Sequence, residues 1–105
     1  NEILASALQL GRTQGLRPSI YTHPLGTYGH SAGTTLGMWD AQNGVPGSGD
    51  YALQYKTAYA IELNNTVYLS QWKKDIRIML EEAGYFDADG FRYVSGRQEG
   101  ILLVD

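Results

Sequence analysis

Between Pro24 and Gly49 the chain places seven of its thirteen glycines and two of its three prolines. No hydrophobic period, helical or extended, survives in a stretch so rich in residues that break regular backbone, so it predicts one long loop. About a quarter of a 105-residue chain is thereby withdrawn from the regular structure that builds a core. Long structureless loops inside compact domains are functional or disordered more often than they are mere connections. This one begins with "HPLGTYGH", which holds both histidines of the chain, His23 and His30.

The flanks carry the periodic sequence. In "NEILASALQLGRTQG" Ile3, Leu4, Ala7, Leu8 and Leu10 recur at helical spacing, with Asn1 in the capping position and Gly11 or Gly15 as a stop, which predicts an amphipathic helix over 2–13. Pro18 forces extended backbone, and residues 19–22 read as a short strand delivering His23. Beyond the loop, "YALQYKTAYAIELNNTVYL" alternates, with Tyr59, Ile61 and Leu63 on one face and Ala58, Ala60 and Glu62 on the other; Asn64-Asn65 reads as a turn. Further strands follow, with Asp89-Gly90 as a hairpin turn and residues 97–104 as a terminal strand. A single α+β unit over 1–105 is expected, its N-terminal helix packed on a mainly antiparallel sheet.

Charge and cysteine content narrow the chemistry. Eight Lys and Arg stand against eleven Asp and Glu, a net charge of −3 with no basic block to neutralise a phosphate backbone, so nucleic acid is not an expected partner. No apolar run has the length that spans a bilayer, so no membrane association is expected. With no cysteine, a metal here could be held only by imidazole and carboxylate.

His23 and His30 are seven residues apart, and Pro24, Gly26 and Gly29 exclude the helix that would put them on one face, so the loop must fold back for them to meet. Two loop histidines are otherwise ordinary surface residues. Glu62 lies between Ile61 and Leu63, where a carboxylate is costly unless paired, solvated or bound to a cation. Glu99 precedes the apolar run "ILLV", and Glu81-Glu82 follow "RIML" in the same manner. "GVPGSGD" lacks the Lys-Ser/Thr of a phosphate cradle, and "DADG" lacks the later acid of a calcium loop and reads as a hairpin.

In order, "HPLGTYGH", then an acid in an apolar strand as "AIELN", then "RQEGILLV", resemble the C-terminal half of the pita-bread metallopeptidases, which include methionine aminopeptidase, aminopeptidase P, prolidase and creatinase. The resemblance implies two divalent metal ions, whether Mn, Co, Fe or Zn, in the intact protein, and a short peptide as substrate, with Xaa-Pro aminopeptidase or dipeptidase activity. It implies His23 as a metal ligand and His30 as the catalytic histidine that contacts substrate. Glu62 corresponds to the first ligating glutamate and Glu99 to the bridging one. "DIRIMLEEAGYFDADG" also resembles the family's Arg-Ile-Glu-Asp segment, which would nominate Glu81 instead.

Two aspartate ligands of that family come from its N-terminal half, and Asp40, Asp50 and Asp75 fall too late in the order to replace them. The chain is therefore expected to be the C-terminal portion of a catalytic domain, inactive alone, holding one metal ion or none. An exposed sheet edge is expected to drive homo-oligomer formation. Two rivals stand beside this expectation: a non-catalytic pita-bread relative that binds peptide or protein, and a β-rich carbohydrate-binding domain using its tyrosines and tryptophans as stacking platforms.

Overall fold

The computed structural model describes residues 1–105 as one helix followed by a four-stranded sheet. Helix α1 spans Glu2–Thr13, and strands β1 (Arg17–Pro24), β2 (Thr57–Leu69), β3 (Lys74–Asp87) and β4 (Gly90–Tyr93) follow in chain order. Neighbours in sequence are neighbours in space, all antiparallel, so the sheet is an open meander with order β1-β2-β3-β4. An α+β architecture is thus observed, and the helix keeps the bounds its periodicity predicts.

The register divides the sheet into two chemically different faces. Ile20, Leu63 and Leu80 form one row and Thr22, Ile61 and Glu82 the next, and this face receives α1. Leu4 and Leu8 of the helix, buried to 1% and 3% exposure, meet Leu36 from the loop, with Ile20 and Leu53 packed against them. On the opposite face lie His23, Tyr21, Ser19 and Arg17 of β1, Glu62, Asn64 and Thr66 of β2, and Glu81, Met79 and Arg77 of β3. As predicted, Glu62 projects away from the bulky apolar side.

The helix covers only the β1 end. Further along the same face Ile78 and Leu80 of β3 remain 52% and 49% exposed. The radius of gyration is 15.0 Å, above the roughly 13 Å of a compact 100-residue domain, as an open sheet with one uncovered half requires.

The segment between β1 and β2 has no strand of its own and is held by side-chain clamps. Gln42 accepts from the Ile20 amide at 2.8 Å and donates to the Ile20 and Met38 carbonyls at 2.8 and 2.6 Å, while Leu36 exchanges backbone hydrogen bonds with Thr22. The loop thereby occupies the outer edge of β1, where another strand would otherwise add. Gly37 makes this approach possible: its φ is +69°, and a Cβ there would collide with the Ile20 carbonyl oxygen.

The structure departs from expectation at three places. Asn1 occupies the capping position but makes no side-chain cap; its amide oxygen accepts from Val45 N at 2.7 Å and its amide nitrogen donates to Asp50 at 2.6 Å, tying the far end of the loop to the helix start. Asn64-Asn65 is no turn, because both residues lie mid-strand in β2, laddered to Ser19 and Pro18 on one side and to Met79 and Ile78 on the other. Residues 97–104 form no strand: β4 ends at Tyr93, Gly96 turns the chain at φ +79°, and Ile101 to Val104 are 81–95% exposed. Apolar sequence alone does not make a strand without a laddered partner, and the tail has none.

Candidate functional site

Strands β1 and β2 bring His23 and Glu62 together. Their register positions differ by one row on the polar face, and His23 Nε2 lies 2.8 Å from Glu62 Oε1. The imidazole is nearly sealed, its side chain 4% exposed, whereas the Glu62 side chain is 33% exposed and opens toward solvent. His23 Nδ1 is 3.0 Å from the Pro24 carbonyl oxygen. That oxygen only accepts, so Nδ1 supplies the proton, and Nε2 is the nitrogen left for chemistry. The contact with Glu62 is then a hydrogen bond only while a further proton lies between Nε2 and Oε1. A cation can take that proton's place.

His30 is brought back by the tight loop after β1. The Pro24 carbonyl also accepts from Ser31 N at 3.0 Å, so the chain returns to its starting point over seven residues. Gly26 sits at the closest approach, where a Cβ would stand 2.7 Å from the His30 carbonyl oxygen. As a result the His30 ring stacks on the His23 ring, centroids 3.9 Å apart and planes 14° apart, with Tyr21 5.2 Å from one ring and 6.3 Å from the other. His30 itself is exposed. The seven-residue spacing thus joins two imidazoles through a loop, not along a helix.

The two candidate second carboxylates are placed differently. Glu81 is the cross-strand partner of Glu62, on the same face and beside the same cavity. Glu99 lies on the C-terminal segment outside regular structure, exposed, with no hydrogen bond or ion pair to His23 or Glu62. Its neighbour Gln98 donates from the backbone to Glu82 at 2.6 Å, beside a surface hollow whose lining includes Glu81, Glu82 and Leu102. No group of three or more His, Asp or Glu side chains is drawn together tightly enough to enclose an ion. The two donors in contact, His23 Nε2 and Glu62 Oε1, are of the kind that suits Mn, Co, Fe or Zn.

A cavity of about 420 Å³ opens on the polar face of the sheet, with Glu62 and Glu81 at one end, Arg77 at the other, and Tyr21, Trp39 and Met79 along its walls. Trp39 is 78% exposed and Arg77 makes no ion pair. Neither residue is prominent in the sequence. Trp39 belongs to the irregular loop, and Arg77 joins the cavity only through the β2–β3 register, although its two-residue spacing from Met79 and four-residue spacing from Glu81 on one strand was a usable signal. Comparison of the chain with protein-family models, with curated proteins and with solved structures returned no match.

Proposed function

We propose that the polar face of this sheet is part of a metal-dependent peptidase centre, with His23, Glu62 and Glu81 as the chain's metal-binding residues and His30 as its substrate-contacting histidine. The observation that carries this is the His23–Glu62 pair: an imidazole nitrogen left free by its Pro24 contact, aimed at a carboxylate that is half open to a cavity. Glu81 replaces Glu99 in the proposed set because the ladder puts it directly opposite Glu62.

A divalent ion held there would lower the pKa of a bound water toward neutrality and polarise a peptide carbonyl. The chain's own residues have simpler tasks. The Pro24 carbonyl holds the His23 tautomer, Glu62 and Glu81 supply negative charge, and His30 offers a ring nitrogen at the exposed side of the stack, where a substrate amide can reach it. Tyr21 lies beside both imidazoles, 5.2 Å from the His23 ring and 6.3 Å from the His30 ring.

His23 and Glu62 are in contact, but Glu81 would have to close on them to complete even three donors, fewer than the five side chains of a full dinuclear set, so residues 1–105 are expected to bind metal weakly and to turn over little or no peptide. Titration with Mn²⁺, followed by paramagnetic broadening of the His23 and His30 ring protons, tests the proposal. Broadening of both rings in the wild-type chain, with the His30 broadening lost in His23→Ala, supports it, and unperturbed ring signals at saturating Mn²⁺ refute it.

A further inference from the structure

The rows of the sheet give the cavity a polarity. Tyr21, Glu62 and Glu81 form one row across three strands, Ser19, Asn64 and Met79 the next, and Arg17, Thr66 and Arg77 the third. The first row is acidic. The third carries two guanidinium groups, of which Arg17 is engaged by Asp75 while Arg77 has no acidic partner. A free cation and two carboxylates therefore bound a single cavity from opposite ends, with hydrogen-bonding side chains and the Trp39 and Met79 surfaces between them.

Alternate residues on a strand stand about 7 Å apart, so the two rows are separated by about 13 Å along the strand. An extended tripeptide spans roughly 10 Å from its amine to its carboxylate, and the side chains at either end close the remainder. A dipeptide falls short of one end, and a longer peptide carries its carboxylate past Arg77.

We infer that the cavity receives a short zwitterionic peptide, about three residues long, whose free C-terminal carboxylate is bound by Arg77 while its amino end lies at Glu62 and Glu81. The peptide runs along the strands on the polar face, its middle residue over Ser19 and Asn64. Arg77 is thus a specificity residue: it selects free peptide ends and rejects internal segments of longer chains. Arginine suits the role because its planar fork meets a carboxylate with two parallel hydrogen bonds, which lysine cannot do. This inference rests on a peptide as occupant of the proposed site and describes the metal-free chain, in which the ammonium takes the carboxylates that an ion would otherwise hold.

The test compares trialanine with trialanine amide, by calorimetric or NMR titration of the whole 105-residue chain, with and without Mn²⁺. The free acid is expected to bind about tenfold or more tightly than the amide, as a charge-assisted pair implies. Arg77→Met is expected to abolish the difference and Arg77→Lys to keep part of it. Di- and pentaalanine are expected to bind more weakly than trialanine. Equal affinity for acid and amide, discrimination that survives Arg77→Met, or no binding of either peptide overturns the inference. If Arg77→Met loses its native circular dichroism, the wild-type comparison and Arg77→Lys decide. Failure of the metal proposal is seen separately, in the Mn²⁺ titration of the ring protons, and leaves the acid-against-amide comparison standing.

Discussion

Glu62 and Glu81 face each other directly across β2 and β3, one row from the His23 imidazole that Glu62 contacts at 2.8 Å. Like charges directly opposite on one face of an antiparallel ladder repel, and the cost is of the order of 0.2–1 kcal/mol. A pairing of this kind is relieved by a cation between the two acids or by loss of one charge. Glu81→Gln is therefore expected to raise the stability of the metal-free chain by about 0.5 kcal/mol while weakening Mn²⁺ binding, and Glu99→Gln to change neither. Urea unfolding with and without Mn²⁺ measures both. An unchanged Mn²⁺ response in Glu81→Gln, with a lost one in Glu99→Gln, would return the ligand role to Glu99.

What was legible in the sequence was local. The spacing of Leu4 and Leu8 defines the helix, and the alternation around Glu62 places its carboxylate on the polar face before any partner strand is known. Pro24, Gly26 and Gly29 exclude a helix between the histidines, but that the loop folds back to stack His30 on His23 emerges only in three dimensions. Register is not local. Glu81 becomes the partner of Glu62, and Arg77 enters the cavity, only through the pairing of β2 with β3. The same reason explains the misplaced turn: Asn64-Asn65 has turn chemistry, but strands on both sides satisfy its backbone and carry it straight. "ILLV" fails in the opposite sense, with strand composition and no laddered neighbour.

Gly37 tests how far the loop depends on its clamp against β1. Its φ of +69° and the Ile20 carbonyl in the path of a Cβ combine backbone strain with a steric clash. Gly37→Ala is expected to destabilise the chain by about 2 kcal/mol or more, since neither the turn nor the strand edge can yield without releasing Gln42. Gly47→Ala, also at positive φ but with no atom within 4 Å of the added carbon, pays only the backbone part and is expected to cost about half as much. Denaturation midpoints of the two variants give the comparison.

Asn65 lies on the helix-bearing face between Pro18 and Ile78, and its side-chain oxygen is buried without a hydrogen-bond partner. A buried acceptor left unpaired costs on the order of 1–3 kcal/mol, and Asn is a poor strand former. Asn65→Val removes the orphaned oxygen and adds a β-branched side chain to an apolar row. It is expected to stabilise the chain by about 1 kcal/mol, read as a higher urea midpoint with an unchanged slope. A loss of stability would mean that the amide is held by an interaction other than those of the isolated chain.

The C-terminal segment and the outer edge of β3 pose one problem together. Ile101, Leu102, Leu103 and Val104 are 81–95% exposed, while β3 from Lys74 to Glu82 has no strand beyond it because β4 pairs only from Gly84 to Asp87. An unpaired edge beside a free apolar strand-forming segment is a template for strand addition between copies. Ile78 and Leu80, half exposed on the apolar face next to that edge, would be covered by the same event. Self-association is therefore expected, rising with concentration in sedimentation equilibrium. Leu103→Asp puts a charge into the added strand and is expected to shift the distribution toward monomer without changing folded stability, since Leu103 touches little in the single chain. Lys74→Pro, at the start of the strand, is expected to do less, because most of the edge remains available. A wild-type chain that stays monomeric at the highest accessible concentration, or Leu103→Asp that associates as before, would show that neither the edge nor the tail recruits a second copy.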